Sequence, residues 1–370
     1  MSRAARSVRL VVAGVLVLSL VLLAACGGGG GGQGGGTQGS SKGGGSGAAS
    51  SINGAGASFP APIYNAMFQQ FAQDSGIQVN YQSIGSSGGR QQFIQKTVEF
   101  GASDEPMKSE EEQEAGGNPL HIATVGGAVV PAFNLEGVQK LNLTGEVLAD
   151  IFLGNVTKWN DPAIAQLNPD ANLPDAEIAV VHRSDGSGTT NIFTNYLAAV
   201  SPAWKNGPGA GGEIDWPTGI GGKGNEGVAG QIQQTPNSIG YVGLEYAKEN
   251  NMSYASVGEA GNFVEPSVES ARAAIQAANI PDDLKVTISG TNLQGQGVYP
   301  ITGLTWLLVR QQMDDLAKCK AVAQAAWYVT HQGQQLAPEM NYVQIPDNVV
   351  STDEKFIQSM EAGGQSCYEG

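Results

Sequence analysis

An α/β protein of two lobes is what the sequence predicts, and three observations predict it. Short apolar runs alternate with amphipathic stretches, and the two meet at Gly- and Ser-rich junctions, as strands running into helices do. The part able to fold, roughly 320 residues, exceeds one ordinary hydrophobic core. A Gly/Ser-rich segment separates that part from an apolar N-terminus and cannot itself bury apolar surface.

Residues 1–25 read as an export signal. Arg3, Arg6 and Arg9 supply the basic start, and Leu10 to Ala25 the apolar run, which is short for a membrane-spanning helix. The run ends Leu23-Ala24-Ala25-Cys26, which resembles the lipobox of bacterial lipoproteins. That resemblance implies cleavage before Cys26 and lipidation of its thiol and amine. Residues 26–50 are then the lipidated Cys and a flexible tether, whose ~24 Gly/Ser-rich residues reach roughly 27 Å by random-coil scaling. The expected location is the outer face of the cell membrane, by lipid anchor, or the periplasm.

Formal net charge is −15, which argues against a nucleic-acid partner. An anion must therefore be held by local dipoles rather than by the overall field. Outside the cell Cys319 and Cys367 could pair. His121, His182 and His331 are scattered, and no Cys or His cluster has metal-ligand spacing, so neither a metal nor a cofactor is expected.

The folded elements follow in order. Ile52 to Gly56 reads as a strand entering a Gly-rich turn, then a helix with Pro60 and Pro62 in its opening turn, where proline is tolerated. Tyr64, Met67, Phe68 and Phe71 form that helix's core stripe, and the loop before it offers N–H groups at Ser58 and Phe59. Gln78 to Ile84 alternates as a strand, Gly85-Ser86-Ser87-Gly88-Gly89 forms a second junction, and a helix is expected from Arg90 onward. Glu99-Phe100-Gly101-Ala102-Ser103-Asp104 brings a short strand to an acidic end. Ile178-Ala179-Val180-Val181 is a buried strand, and Asn191 to Leu197 a helix beginning near Ser187.

Between them lies His182-Arg183-Ser184-Asp185-Gly186-Ser187-Gly188-Thr189-Thr190. N–H groups of Ser187, Gly188 and Thr189 at a helix start would converge on one space and attract an anion. Ser187 and Thr189 add hydroxyls, Arg183 adds a fork suited to an oxyanion, and Asp185 is placed to hold Arg183. Gly221 to Gly227 reads as a structural turn into a helix. It is not a P-loop, because Gly222-Lys223 is followed by Gly224. Trp159, Trp204, Trp216, Trp306 and Trp327 read as packing residues.

Gly-Ala-Gly-Ala-Ser-Phe-Pro-Ala-Pro, Tyr-Gln-Ser-Ile-Gly-Ser-Ser-Gly-Gly, Phe-Gly-Ala-Ser-Asp and Arg-Ser-Asp-Gly-Ser-Gly-Thr, in this order, resemble the PstS-type phosphate-binding proteins, the capture subunits of phosphate ABC importers. The resemblance covers nearly all the chain from about residue 52, weakly over residues 255–295. It implies a type II periplasmic-binding-protein-like fold with the ligand cleft between lobes. Residues 51–126 and 301–370 would form lobe I and residues 127–300 lobe II, with crossings near Val125-Gly126-Gly127 and Tyr299-Pro300-Ile301. By motif, lobe I contributes Ser58, Phe59, Ser86 and Asp104 to a phosphate site, and lobe II contributes Arg183, Ser187, Gly188 and Thr189. The implied partners are inorganic phosphate and ABC permease subunits, and a monomer without enzymatic activity is expected. Ser58 stands where many relatives have Thr, and His182 where some have a second Arg.

Two other functions fit parts of the chain. Gly85-Ser86-Ser87-Gly88-Gly89 matches a Gly-x-Ser-x-Gly nucleophile elbow by letter, and His331 could complete a hydrolase or phosphatase triad. A five-letter match among 53 glycines is cheap, however. A surface lipoprotein for adhesion or sensing would carry the anchor but no tight anion site.

Overall fold

Ten strands share one sheet, and its order explains how distant stretches of chain reach one cleft. The computed structural model describes residues 47–291, 295 and 297–370. The expected export signal, Cys26 and most of the expected tether lie outside the described residues. Gly45–Gly370 forms one unit.

The principal strands are β1 (Ser51–Gly56), β2 (Gln78–Ser83), β3 (Phe100–Ser103), β4 (Leu120–Asn134), β5 (Ala179–Arg183), β6 (Ile220–Gly222), β7 (Ser238–Gly243) and β8 (Thr302–Val309). They lie in the order β2-β1-β3-β8-β4-β7-β5-β6, and the two-residue strands Val343–Gln344 and Ser253–Tyr254 also pair with β4. β1 is parallel to β2 and β3, and β5 is parallel to β6 and β7. Such parallel neighbours require crossovers, which the helices supply.

β4 joins the two halves of the sheet. Leu120 to Ala128 pairs antiparallel with β8, and Val129 to Asn134 pairs antiparallel with β7. Every residue of β4 except Asn134 is buried, as expected of a strand covered on both faces. Gly126 and Gly127 lie inside this continuous strand, and the change of partner falls at Ala128/Val129. The return path is adjacent, since Val129 N–H donates to Ile301 O at 2.8 Å and Tyr299 Oη donates to Val129 O at 3.1 Å.

Helices follow the strands as the Gly/Ser junctions anticipated: α1 (Ala61–Ser75), α2 (Ser86–Ile94), α3 (Gly188–Val200), α4 (Gly224–Gln234), α5 (Leu244–Glu249), α6 (Leu316–Thr330) and α7 (Asp347–Gln358). Tyr64, Met67, Phe68 and Phe71 form the buried stripe of α1. One expectation needs correcting: α2 begins at Ser86, not Arg90, so Gly88 and Gly89 are helical. Packing is the reason, because a Cβ on Gly89 would lie 2.4 Å from Gly56 Cα. Glycine here serves close approach of α2 to β1, which outweighs its helix penalty of about 1 kcal/mol.

The folded unit also begins earlier than residue 51. Ala48 and Ala49 pack against the core, and Ala49 N–H donates to Ala317 O at 2.8 Å. At the other end Cys319, on α6, is bonded to Cys367, with Cα atoms 5.4 Å apart. Trp159, Trp204 and Trp306 are fully buried, and Trp216 and Trp327 pack at the core margin.

Candidate anion-binding site

The ends of β1, β3 and β5 and the starts of α2 and α3 meet where the sheet changes halves. Ser58, Phe59, Ser86, Asp104, Arg183, Ser187 and Thr189 are each no more than 3% exposed, and Gly188 is buried. All eight residues expected from the sequence therefore lie in the interior, although they come from four separate stretches of chain.

Arg183 ends β5 and is held as the spacing suggested. Its Nε and Nη2 donate to Asp185 at 2.8 and 2.6 Å, and Asp185 also accepts from Gly224 N–H at 3.1 Å. Burial works against both charges. Mutual attraction and hydrogen bonding outweigh it, raising the guanidinium pKa and lowering the carboxyl below its ordinary range. The fork keeps its full charge and a fixed direction.

Three hydroxyls are oriented by what they accept. Ser58 Oγ accepts from Asn225 N and Nδ2 at 3.0 and 2.9 Å. Ser86 Oγ accepts from Gly188 N and Asp104 N at 3.0 and 3.2 Å. Thr189 Oγ1 accepts from Asn225 Nδ2 at 3.0 Å and from Arg183 Nη1 at 3.4 Å. A hydroxyl has two acceptor lone pairs and one proton. With both lone pairs engaged, each of these groups is left only its O–H to offer.

Asp104 is the counterpart. It is 3% exposed, and its Oδ1 has no protein partner. Burial pushes its carboxyl up to about 7. The Thr305 hydroxyl and the Arg183 and Arg90 charges pull it down, while Glu105 pushes it up. One buried acceptor among oriented donors suits an oxyanion that still carries a proton.

The helix start differs from expectation. Ser187 caps α3 through Oγ, which accepts from Thr190 N–H, but its own N–H donates to Gly212 O at 3.0 Å. Gly188 N–H donates to Ser86 Oγ. Thus only Thr189 of the three expected N–H groups keeps a free direction. The loop around Gly212 folds closely over the helix start, where a Cβ on Gly212 would lie 3.0 Å from the Ser187 carbonyl oxygen.

Sequence reasoning missed Asn225. The stretch taken as a structural turn places it fully buried, and it bridges Ser58 and Thr189 while its Oδ1 accepts from Gly243 N–H at 3.0 Å. Arg90 was also missed. It is a buried cation near the cleft, paired with Glu105 and Glu111 at 3.1 and 2.9 Å. His182 stacks on Trp216 with ring centroids 4.8 Å apart. His331 stacks on Trp327 and pairs with Glu354, so it serves neither Ser86 nor Ser87, whose hydroxyls contact Gly188, Asp104 and Arg90. Among the described residues no group of three His, Cys, Asp or Glu side chains could hold a metal, and no helix is long and apolar enough to cross a membrane.

Sheet order and a buried polar cleft between the halves define the class: a two-lobed α/β binding protein. Residues 37–325 match the family model described as the PBP superfamily domain. The phosphate-binding protein PstS of Pasteurella multocida is 48% identical over 303 residues, covering 81% of this chain and 88% of the relative. That of Haemophilus influenzae is 47% identical over 306 residues, covering 82% and 91%. A crystal structure of a phosphate-binding protein from Stenotrophomonas maltophilia shares the fold with a TM-score of 0.64 at 20% identity, covering 82% of this chain and 92% of that one. The chain belongs to the PBP superfamily and, within it, to the PstS family.

Proposed function

We propose that this protein captures inorganic phosphate in the buried cleft and delivers it to an ABC-type importer, acting as a binding protein and not as a hydrolase. The observation that carries this reading is the pairing of oriented donors with an acceptor, Asp104 Oδ1, that has no protein partner. Arg183 and the Ser58, Ser86 and Thr189 hydroxyls offer N–H and O–H groups, and among these site residues Asp104 Oδ1 is left to accept. Phosphate near neutral pH presents oxyanion acceptors together with at least one O–H. The PstS relatives are named for the same ligand.

In this reading Ser58, Phe59, Ser86, Asp104, Arg183, Ser187, Gly188 and Thr189 surround the anion, and Asp185 holds Arg183. Lobe I comprises residues 51–126 and 301–370 and lobe II residues 127–300, hinged where β4 changes partners beside Ile301. Closure of such lobes on a bridging ligand is a hinge motion. The chain is exported and tethered by lipid on Cys26. Calorimetry of the protein against phosphate, sulfate and phosphonates tests the function. Tight, selective phosphate binding is expected, and no heat with phosphate would refute it. Partition of the mature protein into the aqueous phase of a detergent extraction would refute the anchor.

A further inference from the structure

Three consecutive carbonyls of the loop after β1 each accept a bond from a different tyrosine. Tyr81 Oη donates to Ala57 O at 2.6 Å, Tyr246 Oη to Ser58 O at 2.6 Å, and Tyr342 Oη to Phe59 O at 2.7 Å. Carbonyl and N–H point opposite ways in a trans peptide. The first two bonds therefore turn the N–H groups of Ser58 and Phe59 away from the tyrosines.

The tyrosines come from different sides. Tyr81 lies on β2, which pairs with β1. Tyr342 directly precedes Val343–Gln344, which pairs with β4 at Gly126 and Val125. Both belong to the half of the sheet that carries Ser58. Tyr246 lies on α5, directly after β7, in the other half. Asn225, on α4, also reaches Ser58 from that other half. Ser58 thus receives three bonds from across the cleft: two on Oγ from Asn225 and one on its carbonyl from Tyr246. Ala57 and Phe59 are capped from their own side.

We infer that Tyr246 and Asn225 are positioning residues that latch the closed cleft onto Ser58 and so set how slowly bound phosphate leaves. The inference rests on the phosphate-binding reading above. Bonds that join the two halves exist only while the cleft is closed, and in the open form each group meets water. Such bonds weight the closed state without requiring contact with the anion. Ser58 O keeps a second donor, Ala61 N–H at 3.1 Å. Tyr246→Phe therefore removes one hydrogen bond and does not orphan the carbonyl, which corresponds to roughly a fivefold change in rate.

The test is release of labelled phosphate from the full-length protein after a chase with unlabelled phosphate, alongside melting without phosphate. Tyr246→Phe should release phosphate about fivefold faster, with association and phosphate-free melting unchanged. Tyr342→Phe, whose bond aims no N–H because Pro60 follows Phe59, should lower phosphate-free melting and leave release near the parent rate. Asn225→Ala, which removes the Nδ2 bonds to Ser58 and Thr189 and leaves Gly243 N–H without its acceptor, should both speed release and lower phosphate-free melting. A Tyr246→Phe protein that releases phosphate at the parent rate overturns the latch. So does one whose only change is the melting loss seen for Tyr342→Phe. If the parent itself binds no phosphate, the functional reading fails first, and that result is distinct from the other two.

Discussion

Replacing Asp104 by Asn removes one charge from the cleft and leaves its shape nearly unchanged. The carboxyl is 3% exposed with Oδ1 unpartnered, so its protonation state is felt at full strength. Sulfate at neutral pH has no proton to donate and meets an ionised Asp104 with repulsion in a dry site. An Asn amide could donate to it instead. A hydrogen bond to a charged group is worth about 1.5–3 kcal/mol, and relief of the repulsion adds to that. Sulfate affinity should rise by roughly 10- to 100-fold. Phosphate, whose O–H can still find the Asn carbonyl oxygen, should change less. Calorimetry with both anions on both proteins, at pH 8 and one ionic strength, measures the ratio. If the Asn variant rejects sulfate as strongly as the parent, Asp104 does not discriminate and this account of the cleft is wrong. The pH dependence has a definite sign. Burial lifts this carboxyl from 3.8 to about 7. The associated stability is fully present below the unfolded value and is lost as pH rises through the folded one. At pH 8 the anion-free parent carries a penalty of up to about 4 kcal/mol relative to a neutral side chain. The Asn variant should melt higher at pH 8, with the difference shrinking below pH 7. Sulfate rejection by the parent should weaken over the same range.

Arg183→Met should weaken phosphate binding by at least about tenfold, because it removes the site's directed cation and leaves Asp185 without its partner; parental affinity by calorimetry would refute the assignment. Replacing Cys319 and Cys367 together by Ala opens a loop of 48 residues and should cost about 4 kcal/mol by the chain-entropy relation. Denaturant unfolding reads that loss, and phosphate affinity of the folded protein should not move. Cys26→Ser should abolish partition into detergent and leave phosphate affinity unchanged; continued partition would mean that something other than lipid on Cys26 holds the protein.

Local chemistry was legible in the spacing of residues, and long-range chemistry only where the motif resemblance carried it. The Arg183–Asp185 pair is two residues apart, so spacing alone suggested it. The strand and helix around each Gly/Ser junction were readable because hydrophobic period changes there from two to 3.6. Asn225 reaches Ser58 across 167 positions, and Tyr342 reaches Phe59 across 283. Composition and period carry no trace of such contacts. The early start of α2 was missed because Gly88 and Gly89 are poor helix formers, and only the packing of Gly89 against β1 explains them. The run from Leu120 to Asn134 was read as a crossing point at its glycines. It is one strand, with Pro131 opposite Tyr241, and only the pairing partners reveal where it passes between halves. Arg90 was read only as the start of a helix, and acids that follow it by 15 and 21 positions draw it inside.

How an acidic chain holds an anion follows from where its donors are spent. Net charge is −15, and the second buried cation near the cleft, Arg90, is already matched by Glu105 and Glu111. Attraction from the overall field is therefore absent. What remains is short-range and directional. Ser58, Ser86 and Thr189 have their lone pairs filled by Asn225, Gly188, Asp104 and Arg183, so in the proposed reading each is left its proton for an oxyanion. Such donors lose little energy in reorganising when the anion arrives, which is how preorganised dipoles outperform water. Each of them would serve sulfate as well as phosphate. In the proposed reading discrimination falls to Asp104, which would read the anion's proton and not its charge, and that would explain why a carboxylate belongs in an anion site at all.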